Sequence, residues 1–141
     1  MNKEFRVREL LVVDFDRTLG DVEAAMRRFS FAARKFGIRD EEIQVAQKEV
    51  ENDGGSFDPL GVLANKGVDL EEFAEEFKKV KVEILYPDAR AFLEKLIKGR
   101  IPHLVLTYGV SEIWQRLKIE ASGYPEEWKM ISNPAKGKEI T

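Results

Sequence analysis

Leu10-Leu11-Val12-Val13-Asp14-Phe15-Asp16-Arg17-Thr18-Leu19 decides the fold. The apolar run Leu10–Val13 reads as a buried parallel strand, because strands covered on both faces are continuously apolar rather than alternating. Asp14 and Asp16 stand at its carboxyl end. Side chains in extended chain repeat every second residue, so these two carboxylates point the same way. Open α/β sheets bind their ligands at the carboxyl ends of their strands. The chain therefore sets two acids side by side where a substrate would sit, and one can attack while the other carries protons.

The rest of the composition bounds what such a site can belong to. The chain has 141 residues, 43% of them apolar, enough for one domain with a real core. Its net charge of −3 argues against non-specific binding to nucleic acid or to an anionic membrane. It has no cysteine and one histidine, which removes disulfides, a thiol nucleophile and a His-rich zinc site. The N-terminal residues show no signal-peptide pattern, and no apolar run approaches membrane-spanning length. A soluble, cytoplasmic protein is the expectation.

Outward from the opening strand, the pattern turns helical from Asp21 to about Lys79. Val22, Ala25, Met26, Phe29, Ala32, Ala33 and Phe36 recur at three- and four-residue spacing, one apolar face ending at Gly37. Asp40 is placed to cap a second helix, and Asn52-Asp53-Gly54-Gly55-Ser56 marks a loop. A short helix over Leu60–Asn65 follows. Asp69 caps another, carrying Leu70, Phe73, Ala74 and Phe77. Glu71–Lys81 reads as its wet face. Asp88 caps a helix to about Lys98, with Ala89, Phe92, Leu93, Leu96 and Ile97 inward. Ile101–Thr107 is the second buried strand, Tyr108-Gly109-Val110 a turn, and Ser111 the cap of a helix that carries Ile113, Trp114 and Leu117. Trp114 reads as core, and so does His103. Lys129–Ser132 is a short third strand, followed by the loop 133–138. This order is α/β in kind. A long helical stretch between two strands of one small sheet is best housed as a cap. The expected division is an α/β core of residues 1–20 and 83–141 and a helical cap of 21–82.

The opening stretch resembles the first motif of the haloacid dehalogenase-like (HAD) phosphohydrolase superfamily, four apolar residues followed by Asp-x-Asp-x-Thr. The resemblance implies a three-layer core with a parallel sheet and a helical cap inserted after the first motif. It also implies a second motif, an apolar strand ending in Thr or Ser, and Leu104-Val105-Leu106-Thr107 fits it. Thr107, Tyr108 and Gly109 would then supply a hydroxyl and backbone N–H groups to phosphoryl oxygens, next to a helix N-terminus that favours anions. A third motif is a lysine after the next strand. Lys136 is the better match and Lys138 the alternative, either one offsetting the charge of nucleophile and phosphate.

On this resemblance Asp14 attacks phosphorus and forms an aspartyl-phosphate, while Asp16 protonates the leaving oxygen and then deprotonates the hydrolytic water. Mg²⁺ is the implied cofactor, held by Asp14 and by the backbone carbonyl of Asp16. A dehalogenase of this family lacks the second Asp, so Asp16 points to phosphoryl transfer. The implied activity is a Mg²⁺-dependent phosphoric monoester hydrolase, or a close phosphotransferase, acting on a small phosphorylated metabolite. One departure stands against it. The family's fourth motif, an acid-bearing strand beyond the lysine, has no counterpart before Thr141. The core is therefore expected to be incomplete at its C-terminal end. The alternative expectation is a catalytically incompetent module on the same scaffold, associating with itself through the uncovered edge of the first strand.

Overall fold

The computed structural model describes residues 10–55, 57–109, 111–124 and 128–132, and for 108–109 and 128–132 the backbone alone. Three strands, β1 (Leu11–Asp14), β2 (His103–Gly109) and β3 (Trp128–Ser132), form one sheet in the order β1-β2-β3, with both pairs parallel. Between β1 and β2 run five helices: α1 (Val22–Arg34), α2 (Asp40–Asn52), α3 (Leu60–Asn65), α4 (Leu70–Lys79) and α5 (Pro87–Lys98). A sixth, α6 (Glu112–Ala121), connects β2 to β3. Parallel neighbours need such crossovers, so the connections and the α/β class follow from one another.

Capping residues start the helices for reasons visible in their bonds. Asp21 Oδ1 accepts from the N–H groups of Glu23 (3.0 Å) and Ala24 (3.2 Å), Asp69 Oδ1 from Glu71 (2.8 Å) and Glu72 (3.1 Å), and Ser111 Oγ from Trp114 (3.2 Å). Two starts differ from the sequence reading. Asp40 lies inside α2, where its carboxylate pairs with Arg34 at 2.7 Å, and Glu42 instead reaches back to the Arg39 N–H at 3.0 Å. In α5 the first residue is Pro87, preceded by Tyr86, and Asp88 is not the cap. Proline has no N–H to satisfy, so that end has one donor fewer to cover. Phe92 is also exposed rather than inward, because Ala89, Leu93 and Leu96 form the buried stripe and Phe92 falls beside it. The charged positions of Glu71–Lys81 are mostly exposed, as read.

The second strand is displaced along the chain. β2 begins at His103 rather than Ile101 and runs two residues past Thr107, because β3 pairs with it through Tyr108↔Ile131 and Gly109↔Ser132. Tyr108 and Gly109 are thus strand residues and not the turn expected of them. Val110, Lys136 and Lys138 lie outside the described residues.

On the other side of β2, β1 pairs from Leu11↔His103 to Asp14↔Leu106 and is the sheet's edge among the described residues. Leu10, Leu11 and Val12 remain 46%, 38% and 54% exposed. That is unusual for an apolar strand of a parallel sheet, which is normally covered on both faces.

The helical segment leaves and returns at one place. Gly20 bridges Leu85 in antiparallel fashion, Asp21 N–H donates to the Ile84 carbonyl (2.8 Å), and Tyr86 N–H donates to the Leu19 carbonyl (3.0 Å). Only glycine fits at position 20, since a Cβ there would meet Phe15 Cε2 at 2.6 Å and Phe15 is a fully buried ring. The helices and the strands share one hydrophobic cluster. Its centre is aromatic. Phe29 of α1 sits 5.1 Å from Phe73 of α4, and both Phe29 and Phe77 meet Trp114 of α6 edge-on at 5.6 Å. Pairs of this kind contribute about 0.5–1.5 kcal/mol each beyond their burial. Trp114 is core, as read from sequence.

Arg28 is buried in the same place, on the otherwise apolar face of α1. Its guanidinium donates to the carbonyls of Phe77 (2.8 Å), Lys78 (2.9 Å) and Val82 (2.8 Å) and lies over the Phe77 ring. The last carbonyls of a helix have no partner within it and carry its negative end, so a buried cation satisfies both needs of α4. Burial pushes the Arg28 pKa down and the charge of Glu83 opposes it, but a guanidinium remains protonated. Arg28→Met should keep the bulk and strand these acceptors, at a cost of about 2–4 kcal/mol in chemical denaturation. A loss under about 1 kcal/mol would show that water replaces the guanidinium without penalty.

Candidate active site

At the end of β1 the side chains alternate as extended chain requires. Val13 and Phe15 are buried, Asp14 is exposed and Asp16 is half-buried. Phe15 N–H still donates to Leu106 (3.1 Å), so the backbone is held in the sheet up to the second acid. Then the chain turns sharply. The Phe15 carbonyl accepts from Leu19 (2.9 Å) and Gly20 (2.7 Å), and Arg17 N–H donates to Gly20 (2.7 Å). Arg17 adopts φ +68°, the left-handed region that costs a side-chain-bearing residue energy and is found at constrained sites.

The neighbour of Asp16 is a residue the sequence reading did not single out. Lys118 of α6 places Nζ 2.8 Å from Asp16 Oδ1 and 3.1 Å from Oδ2. The lysine side chain is only 5% exposed and that of the aspartate 29%. Gln115, one turn earlier on α6, donates from Nε2 to Asp16 Oδ2 (3.3 Å) and accepts at Oε1 from the Thr107 hydroxyl (3.0 Å). A continuous polar network thus joins the end of β1, the interior of β2 and the inner face of α6. Burial lowers the Lys118 pKa, the charge and hydrogen bonds of Asp16 raise it, and Arg17 lowers it further. Its ammonium also lies 5.2 Å from the centre of the Trp114 ring.

Thr107 is fully buried and lies inside β2, so its hydroxyl reaches Asp16 by way of Gln115. The face of α6 also differs from expectation. Ile113 is 50% exposed, whereas Gln115, Lys118 and Ile119 are buried beside Trp114 and Leu117. One signal for this was present: Lys118 stands four residues after Trp114 and so shares its face of the helix.

Mg²⁺ takes one or two carboxylates and fills its shell from water and substrate phosphate. Asp14 offers an exposed carboxylate. The Asp16 main-chain carbonyl accepts no backbone hydrogen bond among the described residues. The Asp16 carboxylate is engaged by Lys118 and Gln115. No group of three or more His, Cys, Asp or Glu side chains placed to hold a metal ion occurs among the described residues. The donors present suit a cation held by Asp14 and one carbonyl, with the remaining ligands from solvent and substrate.

No protein-family description and no curated protein matches the chain. Among solved structures it is similar to a HAD hydrolase, family IA, variant 3, from Entamoeba histolytica HM-1:IMSS, at 14% identity and a TM-score of 0.40. The match covers 84% of this chain and 58% of that one, so this chain spans little more than half of that structure's length. A likeness at this level says nothing about the chemistry of either acid. No helix among the described residues is long and apolar enough to cross a membrane.

Proposed function

We propose that this protein is a phosphoric monoester hydrolase that works through an aspartyl-phosphate, with residues 21–82 as a helical cap over the α/β core. The observation that carries the reading is the pair Asp14 and Asp16 at the carboxyl end of β1, the first exposed and the second anchored by a buried lysine. An Asp14 oxygen attacks phosphorus as the bond to the leaving oxygen breaks, and Asp16, freed from Lys118 and protonated from solvent when the phosphate binds, hands that oxygen a proton. Asp16, now a carboxylate, takes a proton from the water that attacks the phosphorus of the intermediate. Phosphate departs and Asp14 is regenerated. Asp14 and the Asp16 carbonyl would hold Mg²⁺, which would supply neutralising charge to the phosphoryl group.

Lys118 brings a second positive charge to the site, whatever Lys136 or Lys138 contribute. An incoming phosphate competes with Asp16 for its ammonium, and release of Asp16 from Lys118 prepares it for proton transfer. Thr107 and Gln115 hold the network that orients Asp16, while Tyr108 and Gly109 continue the strand beside it. Turnover of a generic phosphate ester, with Mg²⁺ and with a chelator, tests the reading. Asp16→Asn should slow it about a hundred- to ten-thousand-fold, and more for poor leaving groups than for good ones. Equal loss across a leaving-group series would assign Asp16 to structure alone.

One observation favours a second reading, an assembly module without turnover. The exposed Leu10, Leu11 and Val12 on the β1 edge suit pairing with a second copy of the chain. Light scattering that finds a dimer, with no phosphatase activity in Mg²⁺, would favour it.

A further inference from the structure

A groove of about 600 Å³ opens between α1 and α2. Arg17 lines one end of it. Arg17 directly follows Asp16 in the chain, so this end of the groove begins one residue from the second acid. Arg27 and Arg34 line the groove farther along α1, with Glu23 and Asp40 as its acids and Met26 among its apolar lining.

The charges are not balanced within the groove. Arg34 is taken by Asp40 at 2.7 Å. Arg17 and Arg27 form no ion pair among the described residues. Three guanidinium groups thus face two carboxylates, a local positive excess in a chain whose net charge is −3. Guanidinium groups bind carboxylate and phosphate oxygens with paired, charge-assisted hydrogen bonds. The left-handed backbone at Arg17 adds a second reason, since glycine would hold this turn without strain and an arginine there brings a charged side chain instead.

We propose that this groove receives the part of the substrate that departs with the leaving oxygen, and that this part ends in a second anionic oxygen group, carboxylate or phosphate, bound by Arg17 and Arg27. The proposal rests on phosphoryl transfer at Asp14 and narrows its substrates to doubly anionic, small organic phosphates. An apolar stretch between the two anions would lie along Met26.

Binding to the Asp14→Asn protein, measured by calorimetry, tests this without requiring turnover. The probes are hexyl phosphate, the same chain ending in a carboxylate, and the same chain ending in a second phosphate. At least one acid-ended probe should bind about ten- to a hundredfold tighter than hexyl phosphate, the gain of a charged hydrogen-bonded pair. Which of the two gains identifies the anion. The preference should collapse in Arg27→Gln and in Arg17→Gly, the second chosen because glycine suits the backbone at that position. Equal binding of all three probes, or a preference that survives both substitutions, would overturn the proposal. Parallel turnover assays on the unsubstituted protein separate the two ideas. Selective binding with no hydrolysis of any probe keeps the anion site of Arg17 and Arg27 but removes the phosphatase reading, and with it the assignment of that anion to a leaving group. Hydrolysis of all three without preference keeps the chemistry and overturns the groove.

Discussion

Asp14→Asn is expected to abolish phosphate-ester turnover while leaving the protein folded. The two side chains are nearly the same size, and Asp14 is exposed and at the end of its strand, so the substitution disturbs no packing. Surface changes of this kind alter stability by roughly 0.5 kcal/mol or less. The chemistry has no such tolerance, because a neutral amide oxygen is a poor nucleophile toward phosphorus and a weaker cation ligand. Steady-state assays with a good leaving group, set beside a thermal melt, check both halves. Turnover close to that of the unsubstituted protein would remove Asp14 from the mechanism.

The second large effect is an asymmetry between the partners of the buried pair. Removing one member of an ion pair is severe only when the member left behind is cut off from water. Asp16 keeps 29% of its side chain exposed and Lys118 only 5%. Lys118→Met should therefore alter stability by no more than about 1–2 kcal/mol, since water can rehydrate Asp16 and an apolar chain replaces a costly buried ammonium. Asp16→Asn should cost about 2–4 kcal/mol, because the ammonium stays buried without its counter-charge. Activity should not follow that order. Lys118→Met should lower turnover about a hundred- to a thousandfold, the scale of losing one donor to developing charge. Denaturation curves and kcat for both variants read this directly. A Lys118→Met protein that is both well folded and fully active would show that the lysine serves the fold alone.

What the sequence made legible follows the range of the interactions involved. The parallel strand β1, the alternation through Asp16 and the caps at Asp69 and Ser111 depend on residues within a few positions of one another, and they read correctly, whereas the burial expected of Leu10–Val13 holds only for Val13. The buried role of Arg28 did not, because its carbonyl partners lie 49 to 54 positions away and nothing local marks them. The end of β2 was misplaced because Tyr108-Gly109 looks like a turn by composition, while pairing with β3 keeps it extended. On α6 the apolar positions suggested a face through Ile113. The network from Thr107 through Gln115 to Asp16 turns the helix otherwise and buries Lys118. The spacing of the two acids was legible in the sequence, whereas the cation that holds Asp16 left only the mark of its four-residue spacing from Trp114.

The central claim is that the Asp14 carboxylate forms a covalent bond to phosphorus. Rapid mixing with a phosphate ester in Mg²⁺, quenching with borohydride and sequencing by mass spectrometry tests it most directly, since borohydride reduces an acyl phosphate at aspartate to homoserine. Homoserine at position 14, dependent on substrate and absent from Asp14→Asn, is the predicted result. Substrate turnover with no modified residue, or with the label at Asp16 or elsewhere, would contradict it.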